Sequence, residues 1–187
     1  QAFARVAERH PDTVLALVGE VDEPWCREYA EAVRAFAERS GLAGRVRVEH
    51  VTRHPYPWHA AADFLVCASD VESLPRSVTE AMAFETPVVS TRVFGIPDVI
   101  EDGRTGYLCD TCDAEDLART LDRALSAPAD ELRRITRAAS ELVAGRHDPE
   151  VHLERVWDLL SGLARDPHAG PKEILFGSPA DPAVRAR

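Results

Sequence analysis

The sequence predicts an α/β domain built around a doubly wound parallel sheet. Three observations carry that expectation. Apolar runs of strand length at Val14–Gly19, Phe64–Ala68 and Val88–Ser90 are bounded by turn residues, the pattern of parallel strands covered on both faces. Segments with apolar residues at helical spacing alternate with these runs. The connections are short, and a β-α-β-α order with short connections requires parallel pairing.

Each element has a local reason. Ala2–His10 has helical spacing and stops before Pro11, which favours extended backbone just ahead of it. Val14–Gly19 is a buried strand ending in Gly, and Glu20–Pro24 is the loop at its carboxyl end. Trp25–Arg39 repeats apolar residues as a helix does, and Gly41 stops it. Val46–Val51 alternates as a strand, Thr52–Trp58 holds two prolines and reads as a loop, and Trp58–Ala62 is a short helix. After the strand at Phe64–Ala68, a helix is expected from about Pro75, with Ser73 as a polar residue ahead of it and Pro at a position that tolerates it. Ile96–Ile100 is a short helix, Asp102-Gly103 turns the chain, and Thr105–Leu108 leads into a brief strand. Asp113 caps a helix through about Ala127, with Glu115 and Asp116 complementing its dipole. Asp130–Leu142 is another helix, and Asp148-Pro149-Glu150 opens a last one to about Leu163. Arg165–Arg187 carries four prolines and two glycines around a single apolar triplet, and reads as a disordered tail. The domain is therefore expected over 1–164, with 165–187 as tail.

Composition narrows the function classes. The 187 residues suffice for one domain with a proper core. A net charge of -10 argues against a general nucleic-acid or anionic-membrane binder, while leaving room for a local basic pocket. No apolar run approaches the roughly 20 residues that span a bilayer. Gln1 opens what reads as a helix cut midway, without a signal-peptide pattern, so a fragment of a longer protein is expected. Cys109-Asp-Thr-Cys112 lacks the second matched pair of a zinc site, and reduced thiols in a cytoplasmic protein are the simpler reading. The seven histidines show no metal-ligand spacing, and no bound metal is expected.

One stretch concentrates the chemistry. From Ala62 to Asp102 a strand, a loop, a helix, a second strand and a Gly-containing turn follow one another. The loop and helix N-terminus thus fall at the carboxyl end of a parallel strand, where open α/β sheets take ligands and where free amides favour an anion. Glu72 lies in the loop, and Glu80 follows eight residues later in the helix. This E-S-L-P-R-S-V-T-E segment resembles the E-x7-E motif of retaining GT-B glycosyltransferases, especially the family-4 type. The likeness continues in A-D-F-L-V-C-A-S before it, in E-A-M-A, T-P-V-V-S-T, G-I-P-D-V-I-E-D-G and T-G-Y-L after it, and covers roughly Val14 to Leu163.

The resemblance implies a Rossmann-like C-terminal half of a GT-B fold, with its first strand and its N-terminal acceptor domain lying outside this chain. It implies a UDP-, GDP- or ADP-sugar as donor substrate, retaining hexose transfer to an unknown acceptor, and no cofactor or metal. Glu80 matches the motif's second Glu, which in the family accepts hydrogen bonds from the ribose hydroxyls. Glu72 matches the first, beside the donor sugar, where negative charge stabilises the positive charge that builds on the anomeric carbon. A carboxylate capping the helix is the plainer reading of Glu72. Ser73, Leu74, Arg76, Ser77 and Val78 offer backbone amides to sugar and diphosphate, and Arg76 offers a cation. Pro75 has no amide to give. Gly95 lies in the next turn, where backbone can approach a ligand closely. His54 and His59 flank Pro55-Tyr56-Pro57-Trp58, near where this fold places the nucleotide base. Tyr56 or Trp58 could pack against the base, and the favoured reading is that they pack the loop against the body.

Two features depart from the family. Phe84-Glu85-Thr86 stands where a small residue and Gly are usual, and a left-handed Glu85 would cost about 1 kcal/mol. The upstream Arg and Lys that neutralise the leaving diphosphate are not in this chain. The isolated chain is therefore expected to bind nucleotide weakly and to transfer no sugar. The rival readings are another GT-B enzyme, such as a nucleotide-sugar epimerase, and a non-catalytic binding domain. The expected location is cytoplasmic, or membrane-peripheral for a longer protein.

Overall fold

A computed structural model describes residues 1–50 and 54–166. Expectations for Val51–Arg53 and for the tail from 167 onward lie outside the described residues. The chain divides into two compact units, Gln1–Glu141 and Leu142–Arg187.

The first unit alternates helices and strands as expected. In order they are α1 (Ala2–Ala7), β1 (Leu15–Gly19), α2 (Pro24–Arg39), β2 (Val46–His50), α3 (Tyr56–Ala61), β3 (Leu65–Cys67) and α4 (Arg76–Ala83). There follow β4 (Val88–Thr91), a 3-10 turn at Ile96–Asp98, β5 (Tyr107–Cys109), α5 (Ala114–Leu125) and most of α6 (Ala129–Arg146). Every strand pair is parallel. The ladders are β1-β2 and β3-β4-β5, with Val89 of β4 opposite both Val66 and Tyr107.

Burial separates the strands. Every residue of β4 is buried, and so is every residue of β5. The expectation of fully covered strands fails elsewhere. In β1 half-buried and exposed residues alternate, with Val18 40% exposed, and β3 is only half-buried throughout. Among the described residues β1 is hydrogen-bonded only to β2 and β3 only to β4. β5 too has only β4 beside it and is fully buried, with α5 packed against it, so it is the cover on the faces and not the pairing that differs.

Among the described residues α1 contributes to two apolar clusters. Ala2 and Val6 pack with Val89, Tyr107, Ala118, Leu121, Ala124 and Ile135. Ala7 packs with Ala37 and Leu42, backed by Phe3 and Val46. Arg45 holds the chain between α1 and β1. Its guanidinium donates to the carbonyls of Ala7, His10 and Thr13 at 2.9, 2.6 and 2.8 Å and lies over the Phe3 ring. A guanidinium carries enough donors to satisfy several such carbonyls at once.

Helix boundaries follow capping chemistry. Asp113 accepts from the amides of Glu115 and Asp116 at 2.9 Å each, as its place ahead of α5 predicts. Those two amides hold its carboxyl below the usual range. Two expectations are corrected, and a third point is settled. α3 starts at Tyr56, so Tyr56 and Pro57 belong to the helix and not to the loop, because Pro is tolerated in a first turn. α4 starts at Arg76 with Pro75 at its N-cap and no side-chain cap, so Ser73 caps nothing. Glu85 does take the left-handed conformation, at φ 56°.

In the second unit, α7 runs Pro149–Arg165 behind the cap Asp148, which accepts from Glu150 and Val151. Leu153, Val156, Trp157 and Leu160 form one exposed apolar stripe at helical spacing. No helix among the described residues is long and apolar enough to cross a membrane.

Candidate functional site

Three loops leave the carboxyl ends of β3, β4 and β5, and hydrogen bonds tie them together. The hydroxyl of Thr91 donates to the carbonyl of Ser69 at 2.5 Å, and that of Ser90 to Cys67 at 3.1 Å. Thr111 donates to the carboxylate of Asp70 at 3.0 Å. The amide of Gly95 donates to the carbonyl of Ser73 at 2.8 Å. That last bond brings the Glu72 loop against the turn after β4. A Cβ on Gly95 would lie 2.4 Å from the Ser73 oxygen, so this contact requires Gly. Beside it Phe94 is left-handed, at φ 42°, and 71% exposed. A bulky residue in that conformation stores local strain.

The turn that follows is built to be rigid. Thr105 is buried and its hydroxyl both accepts from the amide of Glu101 and donates to the carbonyl of Val99, at 2.9 Å each. Asp102 accepts from the amide of Leu108 at 2.8 Å and from both terminal nitrogens of Arg123 on α5. Burial pushes the Asp102 carboxyl up, but the Arg123 guanidinium and the Leu108 amide outweigh it and hold the group below the usual carboxylate range. Arg123 in turn lies over the Tyr107 ring, 5.0 Å from its centre. The sequence reading missed this network, although a conformationally constrained Asp-Gly turn was visible.

The predicted site residues are placed as follows at these loops. Glu72 is half-buried and accepts from the amide of Ser73 at 2.9 Å, so one predicted amide is already engaged by the loop's own carboxylate. The amide of Val78 donates to the carbonyl of Pro75 at 3.0 Å, which closes the first turn. With no side-chain cap on α4, the first-turn amides of Arg76 and Ser77 are not taken up by a cap. Leu74 and Ser77 are half-buried, and Val78 is wholly buried. Glu80, on α4, is 21% exposed at its side chain. One of its oxygens accepts from Arg76 at 2.9 Å, and the other lies 3.5 Å from Nε2 of His59 on α3. Arg76 itself is 86% exposed.

His59 lies within the short helix the sequence predicts at Trp58–Ala62, and its contact with Glu80 is what the sequence did not show. The histidine is buried in that helix and stacked on Phe84, its ring 6.1 Å from that ring, with its own carbonyl accepting from Thr86 at 2.6 Å. Tyr56 stacks on the same Phe84 at 5.7 Å.

Cysteines and metal-capable groups stand apart. All four cysteines are free. Cys109 is buried and donates to the carbonyl of Ser90, and burial, with Asp116 and Asp110 adding to it, pushes its thiol up to about 11. Cys112 is exposed and left-handed. A buried, unreactive thiol on a strand is a poor redox partner. Among the described residues Glu20, Asp22 and His50, all exposed at the carboxyl ends of β1 and β2, place one ligand atom each within 4.8 Å of the others. They already engage one another, His50 Nε2 lying 2.8 Å from Asp22.

A parallel sheet whose carboxyl-edge loops meet an uncapped helix start and two carboxylates is an α/β domain suited to an anionic, hydroxyl-bearing ligand. Comparison with known proteins gives the family. The family of group 1 glycosyl transferases matches residues 1–142, and the chain belongs to it. A GDP-mannose-dependent alpha-(1-6)-phosphatidylinositol monomannoside mannosyltransferase of Mycolicibacterium smegmatis is 32% identical over 160 residues, covering 79% of this chain and 37% of the relative. Among solved structures, HepE of Anabaena in complex with UDP superposes at a TM-score of 0.79 with 22% identity, over 87% of this chain and 44% of that one. The C-terminal domain of the group 1 protein LpcC of Francisella tularensis gives 0.71 with 24% identity, over 79% and 76%. These two likenesses establish the fold. The chain spans less than half the length of the curated relatives it matches.

Proposed function

We propose that this chain is the donor-binding domain of a retaining hexosyltransferase of the family-4 type, and that its carboxyl-edge crevice takes a nucleoside-diphosphate sugar. The observation that carries the reading is the Gly95–Ser73 bond, which gathers the Glu72 loop, the start of α4 and the turn after β4 into one site. Family membership and the UDP complex of HepE support it.

In this reading the diphosphate lies at the uncapped start of α4, where the amides of Leu74, Arg76 and Ser77 face the dipole's positive end. Gly95 lets the backbone of the next turn come close. Glu80 accepts from the two ribose hydroxyls, a task for which one carboxylate has two oxygens. Glu72 gives up its loop amide to hold a sugar hydroxyl and to stabilise positive charge at the anomeric carbon. Arg76 adds a cation near the phosphates when it leaves Glu80. Transfer depends on further residues supplied from outside the chain: an acceptor domain and cations for the leaving diphosphate. Neither a cofactor nor a metal takes part.

The open edges of β1 and β3 support one further element of the proposal. The common dinucleotide-binding order 3-2-1-4-5-6 has a strand between the two halves of the sheet. A strand from upstream sequence would fit between β1 and β3. We place the protein in the cytoplasm, a reading supported by four free cysteines.

Calorimetric titration of the chain with UDP, GDP and ADP, beside Glu80→Ala, tests the reading. One nucleotide is expected to bind, at millimolar strength or better, and to lose binding in the variant. Binding that is indifferent to Glu80 would contradict the assigned role.

A further inference from the structure

We propose that His59 is the residue that positions Glu80 and thereby sets how strongly the site discriminates for a ribose carrying both hydroxyls. The inference rests on the donor-site reading and deepens it. It starts from an asymmetry in how the Glu80 carboxylate is held. On one oxygen sits Arg76, four residues earlier on the same helix, with a side chain 86% exposed. Such an exposed pair is weak and yields readily to solvent or to a ligand phosphate. On the other oxygen sits His59, whose side chain is only 7% exposed and whose Nε2 is 3.5 Å away.

The histidine cannot easily move. Its ring is stacked on Phe84, and Tyr56 stacks on that same ring. Its carbonyl accepts from the buried hydroxyl of Thr86 at 2.6 Å, which ties α3 to the turn between α4 and β4. The fixed member of the trio is thus the imidazole, from a different helix than Glu80. A carboxylate oxygen has two lone pairs. One can face Nε2–H while the other accepts from a ribose hydroxyl. The imidazole 3.5 Å away biases where that oxygen lies, and the second oxygen is then aimed at the neighbouring hydroxyl once Arg76 turns away. Removing Nε2 leaves Glu80 on an exposed, mobile partner, and its aim is lost while the rest of the site stays intact.

A purely structural His59 would make a different prediction, and the two can be separated. The chain is titrated with UDP, GDP and ADP, each compared with its 2′,3′-dideoxy form. The affinity ratio of the two forms reports the hydroxyl contact alone. His59→Phe keeps the ring and its stacking on Phe84 but lacks Nε2. His59→Gln restores an N–H at similar reach. The expected result is a wild-type ratio of roughly tenfold or more, the scale of a hydrogen bond to a charged group. It should collapse towards one in Glu80→Ala and in His59→Phe, and recover in His59→Gln. Thermal unfolding of each variant verifies that it is folded. A His59→Phe variant that weakens both forms equally, with the ratio kept, would overturn the inference and leave the donor site standing. Wild-type chain that binds no nucleotide, or whose ratio ignores Glu80, would overturn the donor-site reading and this inference with it.

Discussion

At the scale of single residues, the site depends on contacts that tolerate no extra atom. Gly95 has ordinary dihedrals, φ -81°, so its requirement is space and not conformation. Because the obstructing atom at 2.4 Å is a backbone oxygen, a methyl group there must displace the Glu72 loop or the turn itself. Gly95→Ala should cost about 1–3 kcal/mol in urea unfolding, the range for overpacking a close contact. Little or no loss would mean that the Ser73–Gly95 contact yields freely. The places of Gly95, Glu72 and Glu80 in a turn, a loop and a helix were legible in the sequence because these are local signals, while the roles proposed for the two carboxylates come from the family resemblance. The contact of His59 with Glu80 was not legible, since it joins two helices that the sequence does not show to be adjacent. Likewise the amide of Ser73 was expected to serve a ligand, and only the folded loop reveals that Glu72 holds it.

At the scale of elements, the apolar runs located β1, β3 and β4, and the full burial expected of them holds for β4 alone. A continuous apolar run signals a strand able to be covered on both faces. Whether it is covered depends on what packs on its faces: β5 has one strand neighbour among the described residues and is fully buried, while β3, with one as well, is only half-buried. The α5 cap was readable because Asp ahead of two acidic residues is a local signature. The bond from α5 to the turn before β5 was not, because Asp102 and Arg123 are far apart in sequence. Its pH dependence has a definite sign. The folded-state carboxyl of Asp102 lies below its unfolded value, so it contributes stability above the unfolded value and loses it as pH falls through the folded one. Both groups are partly exposed, so solvent screening limits the contribution to about 1 kcal/mol. Asp102→Asn should therefore be less stable than wild type at pH 7, with the two converging below about pH 4. A constant gap from pH 7 to pH 3 in urea unfolding would contradict this.

At the scale of the whole molecule, the chain belongs to the group 1 glycosyl transferases, and the proposed donor site lies at the carboxyl edge of the sheet, where open α/β sheets take ligands. With a net charge of -10 the overall field would repel a nucleoside diphosphate, so the proposed site relies on local amides and the helix dipole. Sugar, base and acceptor stayed illegible for a physical reason: selectivity arises from side chains lining a completed cleft, and fold alone does not encode them. The most direct test is amide chemical-shift mapping of the chain titrated with UDP, GDP and ADP. One nucleotide should shift the amides of Ser73, Leu74, Arg76, Ser77 and Gly95 most, and Glu80→Ala should remove those shifts. Shifts centred elsewhere, for instance at Glu20, Asp22 and His50, or none with any nucleotide, would contradict the assignment of this crevice as the donor site.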